Sequence, residues 1–309
     1  MFAEILSALR WQMPALPPNA RARLGALLSG EPAARRRRVS GTKPQAVKPP
    51  PPDPVWPPAR LSLVQRLWGE GFVEVGGADM ALALAVGLSP SPQVSLLDMS
   101  AGLGGAARAL HERFGVCVTG MEAHPGLARL GAELSRRKGM AKEASVEHFN
   151  PQTFETSRLY NGILARESLF HQPHLGEVLA RAVKALAPEG QLVLVDYVRV
   201  PSENPNTRYL AWMDSERQPV HPWTADQYSA ACKDLGLEVK VFEDMTDTYR
   251  RTVLQGWATL LAGLHLGDLG EGEVAALVDE AELWLRRVMA FDHHALRVIR
   301  LHATAPRKG

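Results

Sequence analysis

Apolar and polar positions along the chain change rhythm several times, and the changes mark out elements. The run "VSLLDMS" (94–100) is continuously apolar until an acid ends it, the pattern of a strand buried on both faces. A helix is expected from about 104 to 114, then a second strand at "VCVTGME" (116–122). A helix near 125–138 leads to strands at "ASVEHF" (144–149) and "YNGILAR" (160–166). Leu175, Val178, Leu179, Ala182, Val183 and Leu186 recur at helical spacing over 174–187. "PEG" stops that helix, and "QLVLVDYV" (191–198) is a fifth strand. A helix opened by a Thr cap covers 224–236, a strand 237–244, a long helical insert about 247–290, and a last strand 295–304. Strands alternating with helices predict an α/β fold, a doubly wound sheet with helices on both faces.

The first 57 residues break this rhythm. Residues 1–60 hold ten Lys/Arg against three Asp/Glu, so the net charge of +2 for the 309-residue chain hides a basic front and an acidic remainder. The stretch 31–57 is rich in proline and arginine and has too little apolar surface to offset its chain entropy. It is expected to be a disordered or polyproline linker. Phe2, Ile5, Leu6, Leu9 and Trp11 before it form a short amphipathic turn, read as a solvated tail. With Arg35 to Arg38 behind it, the alternative is peripheral contact with an anionic membrane or a protein partner. The domains expected are therefore 1–57, an extension, and 58–309, one folded unit.

Composition narrows the class. No run of 18 apolar residues occurs, so no membrane span is expected. The start of the chain is a poor secretion signal, and Cys117 and Cys232 lie far apart without a CxxC pattern. A cytoplasmic location follows, with no metal expected. The acidic folded part does not suit nucleic acid.

The chemistry concentrates in "LLDMSAGLGGAARAL" (96–110). Gly102, Gly104 and Gly105 let a backbone approach a ligand closely. "GLGGAA" matches a dinucleotide fingerprint, and Glu122 follows Gly102 at the distance of an acid that grips ribose hydroxyls. Asp98 stands four residues ahead of Gly102. A carboxylate there repels a pyrophosphate and attracts a cation, which favours S-adenosylmethionine over a nicotinamide dinucleotide.

From about Leu61 to Ala303 the sequence resembles class I S-adenosylmethionine-dependent methyltransferases. The resemblance rests on "LLDMSAGLGGAARAL", "VTGMEAHP", "HFNP" and "GILARESLFHQPHLGEVLARAVKALAPEGQLVLVDY". It implies a Rossmann-like seven-stranded sheet with an antiparallel last strand. It also implies that the Asp98–Gly104 loop, with Ser100, Gly102 and Gly104, holds the methionine part. Glu122, with Ala123 beside it, would bind the ribose, Asn150 the adenine, and Arg166 would sit beside the cofactor. Ser100 stands where the family has a glycine, which implies altered or weaker cofactor binding. Within the family the likeness is to phosphoethanolamine and small-amine methyltransferases, through "RLWGEGFVEVGG", "ARESLFH" and "VDYV". This puts His171 near the acceptor as a base or orienting group, with Glu167 and Tyr197 beside it. Two family tyrosines fall on Val64 and Phe72, which predicts a pocket more apolar than a phosphobase site and leaves the acceptor open: an amine, a lipid head group or a quinone-like ring. A catalytically silent scaffold and, more weakly, an NAD-dependent oxidoreductase are the rival readings.

Overall fold

The computed structural model describes residues 55–202, 206–264 and 269–307, together with the single positions Pro18, Ala22 and Gly25. The expected amphipathic turn, the Arg35–Arg38 run and most of the 31–57 linker lie outside the described residues. Of that linker Val55, Trp56 and Pro57 are described, and the Arg60 guanidinium lies 4.1 Å over the Trp56 ring.

Among the described residues, α1 (Pro58–Trp68) and α2 (Gly77–Ala85) stand directly before the sheet. Proline in the first turn and a positive-φ glycine after the last bound α1, as helix-end chemistry requires. Then follow β1 (Ser95–Asp98), α3 (Gly105–Phe114), β2 (Cys117–Glu122), α4 (Pro125–Arg137), β3 (Ala144–His148) and β4 (Tyr160–Arg166). The second half comprises α5 (Leu175–Lys184), β5 (Leu186–Arg199), α6 (Thr207–Ser215), α7 (Ala225–Asp234), β6 (Glu238–Asp244), α8 (Thr246–Ala262), α9 (Glu271–Asp292) and β7 (Leu296–Thr304). The Thr cap is present: Thr224 and Gln227 form a reciprocal capping box at the start of α7.

The seven strands form one sheet in the order β3-β2-β1-β4-β5-β7-β6. The first five run parallel, and β7 is antiparallel to both β5 and β6. The strand order therefore reverses between β1 and β4, and the carboxyl ends of these strands open on the crevice where such folds bind ligands. Asp98 ends β1, Glu122 ends β2 and Arg166 ends β4, so the sheet itself brings three charged residues to that edge. One apolar core lies between the sheet and α1, α2, α3, α8 and α9; a second lies beneath α5 and α7 on the other face.

Two boundaries differ from the periodic reading. "PEG" lies inside β5 as an irregularity: the register with β4 jumps between Tyr160 and Gly162, and Glu189 adopts φ 59°. The insert is two helices, α8 and α9, and α1, α2 and α6 are further helices that the pattern did not reveal. Among the described residues no helix is long and apolar enough to cross a membrane.

The segment 69–76 crosses over the start of α3 at close range. A Cβ on Gly105 would lie 2.7 Å from the Phe72 ring and against the Gly71 carbonyl. Gly105→Ala therefore forces this segment outward and should cost about 1–3 kcal/mol of stability, as overpacking does. Denaturant unfolding measures it, and a loss below experimental error would show that the segment is not held there.

Candidate active site

The carboxyl edge of the sheet is built around one guanidinium. Asp98 is fully buried, and its Oδ1 accepts hydrogen bonds from the Ser100 amide (3.0 Å) and hydroxyl (3.2 Å). The Ser100 Oγ in turn accepts from the Arg166 backbone N–H at 2.7 Å, so this hydroxyl ties the end of β1 to the end of β4. Ser100 is not among the residues with positive φ. The position thus tolerates a side chain in place of the family's glycine and gives the hydroxyl two partners.

The Arg166 side chain is 2% exposed. Its Nη2 lies 3.7 Å from Glu74 Oε2 and 3.8 Å from Asp98 Oδ2. These are ion-pair distances, too long for hydrogen bonds. Nε, Nη1 and Nη2 of Arg166 and Oδ2 of Asp98 are buried without a hydrogen-bond partner in the chain. Buried charge disfavours ionisation, and here the groups answer one another. Burial works against the Arg166 charge, but Glu74, Asp98 and Glu167 outweigh it and push its pKa up. Burial raises the Asp98 carboxyl, with Arg166 and Ser100 opposing. Burial lifts Glu74 to about 7, Arg166 opposing.

Glu122 closes the glycine loop. Its Oε2 accepts from the Gly102 N–H at 2.8 Å and its Oε1 from the His124 N–H at 2.7 Å. Gly102 (φ 53°) and Gly104 (φ 76°) hold left-handed conformations that L-residues resist, and Gly104 caps α3.

A cavity opens on this edge and runs away from it toward α9. Of the residues singled out in the sequence, Ser100, Glu122, Ala123, Arg166, Glu167 and His171 line it together. Asp98, Gly102 and Gly104 lie behind this lining. Two residues are placed elsewhere. Asn150 is exposed, and its Oδ1 accepts from the Gln152 amide at 3.0 Å; Phe149 and Pro151 line the cavity on either side of it. Tyr197 is wholly buried in an aromatic cluster, its hydroxyl 2.6 Å from that of Tyr249, and does not reach the cavity. Trp212 and Trp257 are likewise core residues.

The far end of the cavity is charged, against the apolar pocket expected. Val64 and Phe72 are in the core rather than the lining. Glu216 and Arg287 form a bidentate pair at 2.7 and 2.9 Å, and the Trp212 indole N–H donates to Glu216 at 2.6 Å. Burial raises the Glu216 carboxyl, but Arg287 outweighs it and holds it below the usual range. His171 sits in the turn Leu169–His171 with Nδ1 3.0 Å from the Pro219 carbonyl. A carbonyl only accepts, so Nδ1 carries the hydrogen and Nε2 the lone pair. Burial lowers the His171 pKa, which keeps the ring neutral near pH 7. Glu167 holds φ 52° at the end of β4; its carboxylate accepts from the Tyr249 hydroxyl and the Val75 amide, and burial raises its pKa. Strain at a non-glycine residue of this kind concentrates at functional sites.

Glu74, Glu216 and Arg287 escaped the sequence reading. Glu216 and Arg287 are 71 positions apart and carry no motif. Glu74 lies within "RLWGEGFVEVGG", and only its place in that segment marked it.

A methyltransferase domain family model matches residues 58–240, the span that supplies every strand-end residue above. The chain belongs to this family. It carries an S-adenosylmethionine-dependent methyltransferase domain. It is 24% identical over 189 residues to phosphoethanolamine N-methyltransferase 3 of Arabidopsis thaliana, a match covering 61% of this chain and 38% of that protein. The chain thus spans well under half the length of that relative. Phosphoethanolamine N-methyltransferase 2 of Haemonchus contortus, solved with S-adenosyl-L-methionine, shares the fold at TM-score 0.70 and 18% identity, over 80% of this chain and 57% of that one. The structure assigned to a sarcosine dimethylglycine methyltransferase of Galdieria sulphuraria gives TM-score 0.64 at 18% identity, covering 81% and 99%. Among the described residues of the domain no group of three or more His, Cys, Asp or Glu is placed to hold a metal ion.

The raised Glu74 carboxyl has a stability consequence with a definite sign. A group whose folded pKa lies above its unfolded value binds more protons when folded, so its contribution is full below the unfolded pKa and is lost as pH rises through the folded one. For Glu74 the window runs from the ordinary carboxyl value of 4.5 up to about 7. Glu74→Gln removes the titration. The difference in melting temperature, variant minus wild type, should therefore grow more positive from about pH 5 to about pH 8 without cofactor. A difference that stays flat would show that Glu74 ionises normally.

Proposed function

We propose that this domain moves the methyl group of S-adenosylmethionine to a small-molecule acceptor bound between Glu167 and His171. The observation that carries the reading is the unsatisfied charge at the sheet edge. Arg166, on the cavity wall, and Asp98, directly behind it, carry buried polar atoms without hydrogen-bond partners, one positive and one negative. A zwitterionic amino-acid group answers both at once, and a pyrophosphate answers only the first. Arg166 would hold the carboxylate of the methionine part, Asp98 its ammonium, with Glu74 adjoining. Glu122 fixes the glycine loop through Gly102 and keeps lone pairs for ribose hydroxyls. Leu127 and Phe149 line the cavity near it and offer apolar flanks for the adenine in place of Asn150.

When bound, the cofactor supplies an electrophilic methyl group on a sulfonium. This chain's own residues then align the acceptor and manage one proton. An ammonium acceptor must lose a proton before its nitrogen is nucleophilic, and His171 Nε2, neutral and lone-paired, is the group suited to take it. Glu167, at the end of β4 beside Arg166, supplies the counter-charge that holds such a head group. Tyr197 acts one layer behind, through Tyr249, which donates to Glu167.

Incubation with methyl-labelled S-adenosylmethionine and a metabolite extract tests this, beside a direct titration of cofactor binding. Wild type should label a component of the extract. Asp98→Ala should lose cofactor affinity and labelling together. His171→Ala should keep the affinity while labelling falls by roughly 10²–10⁴-fold, the usual weight of a general base. Labelling by His171→Ala at the wild-type rate removes the residue from the mechanism, and no transfer from wild type to any fraction removes the catalytic reading.

A further inference from the structure

We infer that the acceptor is a cationic alkyl amine that carries no phosphate or other anionic group; the inference rests on the methyl-transfer reading of the same cavity. It follows from how the guanidiniums around the cavity are spent. Beyond Arg166, which the cofactor's carboxylate would occupy, three arginines border it: Arg60, Arg217 and Arg287. Each faces a carboxylate of its own chain. Arg60 Nε lies 2.7 Å from Glu280, a residue 2% exposed. Arg287 holds Glu216 with two hydrogen bonds. Arg217 lies 3.6 Å from Asp279.

A phosphate ester brought into this space needs cations that are not already matched. To recruit Arg287 it must separate a buried bidentate pair and leave Glu216 charged without its partner, which is the costly way to break such a pair. Recruiting Arg60 does the same to Glu280. The carboxylates that remain would also repel the dianion directly, and like-charge juxtaposition of this kind is how sites reject a ligand.

Glu167 takes its hydrogen bonds from a hydroxyl and an amide rather than from a guanidinium, as Glu122 does at the cofactor end from two amides. It borders the cavity in company with His171. A carboxylate not hydrogen-bonded to a guanidinium receives an ammonium, and the neutral imidazole beside it receives the proton. The aromatic faces do not compete for that role. Arg60 already covers Trp56 at 4.1 Å, and Arg287 covers Trp284 at 4.6 Å, so the two indoles at this end are engaged by cations of the chain. The head group is therefore held by charge and one removable proton. A quaternary ammonium, which has no proton to give, is a product here and not a substrate.

The full chain is first titrated with S-adenosylmethionine, read by tryptophan fluorescence. It is then offered methyl-labelled cofactor with ethanolamine, its N-methyl and N,N-dimethyl derivatives, butylamine and phenethylamine, each compared with phosphoethanolamine. At least one unphosphorylated amine should be methylated with kcat/KM about tenfold or more above phosphoethanolamine, as charge rejection requires. Glu216→Gln, which releases Arg287 from its counter-charge, should shift the preference toward phosphoethanolamine by roughly tenfold. Asp279→Asn, which does so for Arg217, should shift it in the same sense and serves if the first variant does not fold. Equal or better use of phosphoethanolamine by wild type overturns the inference. So does cofactor binding with no amine methylated, or an unchanged preference in a folded variant. Failure of the cofactor to bind at all overturns instead the methyl-transfer reading beneath it.

Discussion

The structure turns on a guanidinium held in the dry edge of the sheet without a hydrogen bond to its nitrogens. Arg166 is buried at the end of β4, with two carboxylates at ion-pair distance and a third, Glu167, next in the chain. Isolated burial of such a charge is expensive, and carboxylates nearby are what make it tolerable. Much of the surrounding architecture serves that arrangement. Strand order brings β1 and β4 side by side, so that Asp98 meets Arg166. Ser100 bonds the two strand ends to each other and orients Asp98 Oδ1, leaving Oδ2 toward the arginine. The segment 69–76 then lays Glu74 against the same group, and the lack of a Cβ on Gly102 and Gly105 permits the approach.

The same charge economy organises the other end of the cavity. Glu216 and Arg287 come from the region after α6 and from α9, Arg60 from α1 and Glu280 from α9. These pairs cross between elements distant in sequence: one fastens α1 to α9, the other the region after α6 to α9. Under the proposal they also limit what the acceptor end can take, because a guanidinium hydrogen-bonded to a buried carboxylate is a poor anion receptor. Fold-level likeness to relatives does not settle such a point.

The strand-end residues were legible because the chain announces them. Asp98, Glu122 and Arg166 each close an apolar run, and a parallel sheet places such residues at one edge. β4 was legible residue for residue, as Tyr160–Arg166, and the Thr224 cap marked the start of α7. Other features were hidden for physical reasons. β5 is buried on both faces, so Asp196 and Tyr197 are equally inside and no alternation tells which side meets a ligand. Asn150 belongs to a turn whose own backbone takes its side-chain oxygen. Ser100 looked like a defect in a glycine loop, but its hydroxyl has a structural task that glycine cannot perform. Glu74 and the Glu216–Arg287 pair depend on tertiary contacts, for which single-chain periodicity carries no signal.

The proposed role of Arg166 and its flanking acids is to recognise the two charges of an amino-acid group. Comparing S-adenosylmethionine with its decarboxylated analogue, in wild type and in Arg166→Met, tests it directly by calorimetric titration. Wild type should bind the intact cofactor about tenfold or more tightly than the analogue, the scale of one buried charge-assisted contact, and Arg166→Met should bind the two alike. An undiminished preference for the carboxylate in Arg166→Met would place that recognition elsewhere and contradict the account.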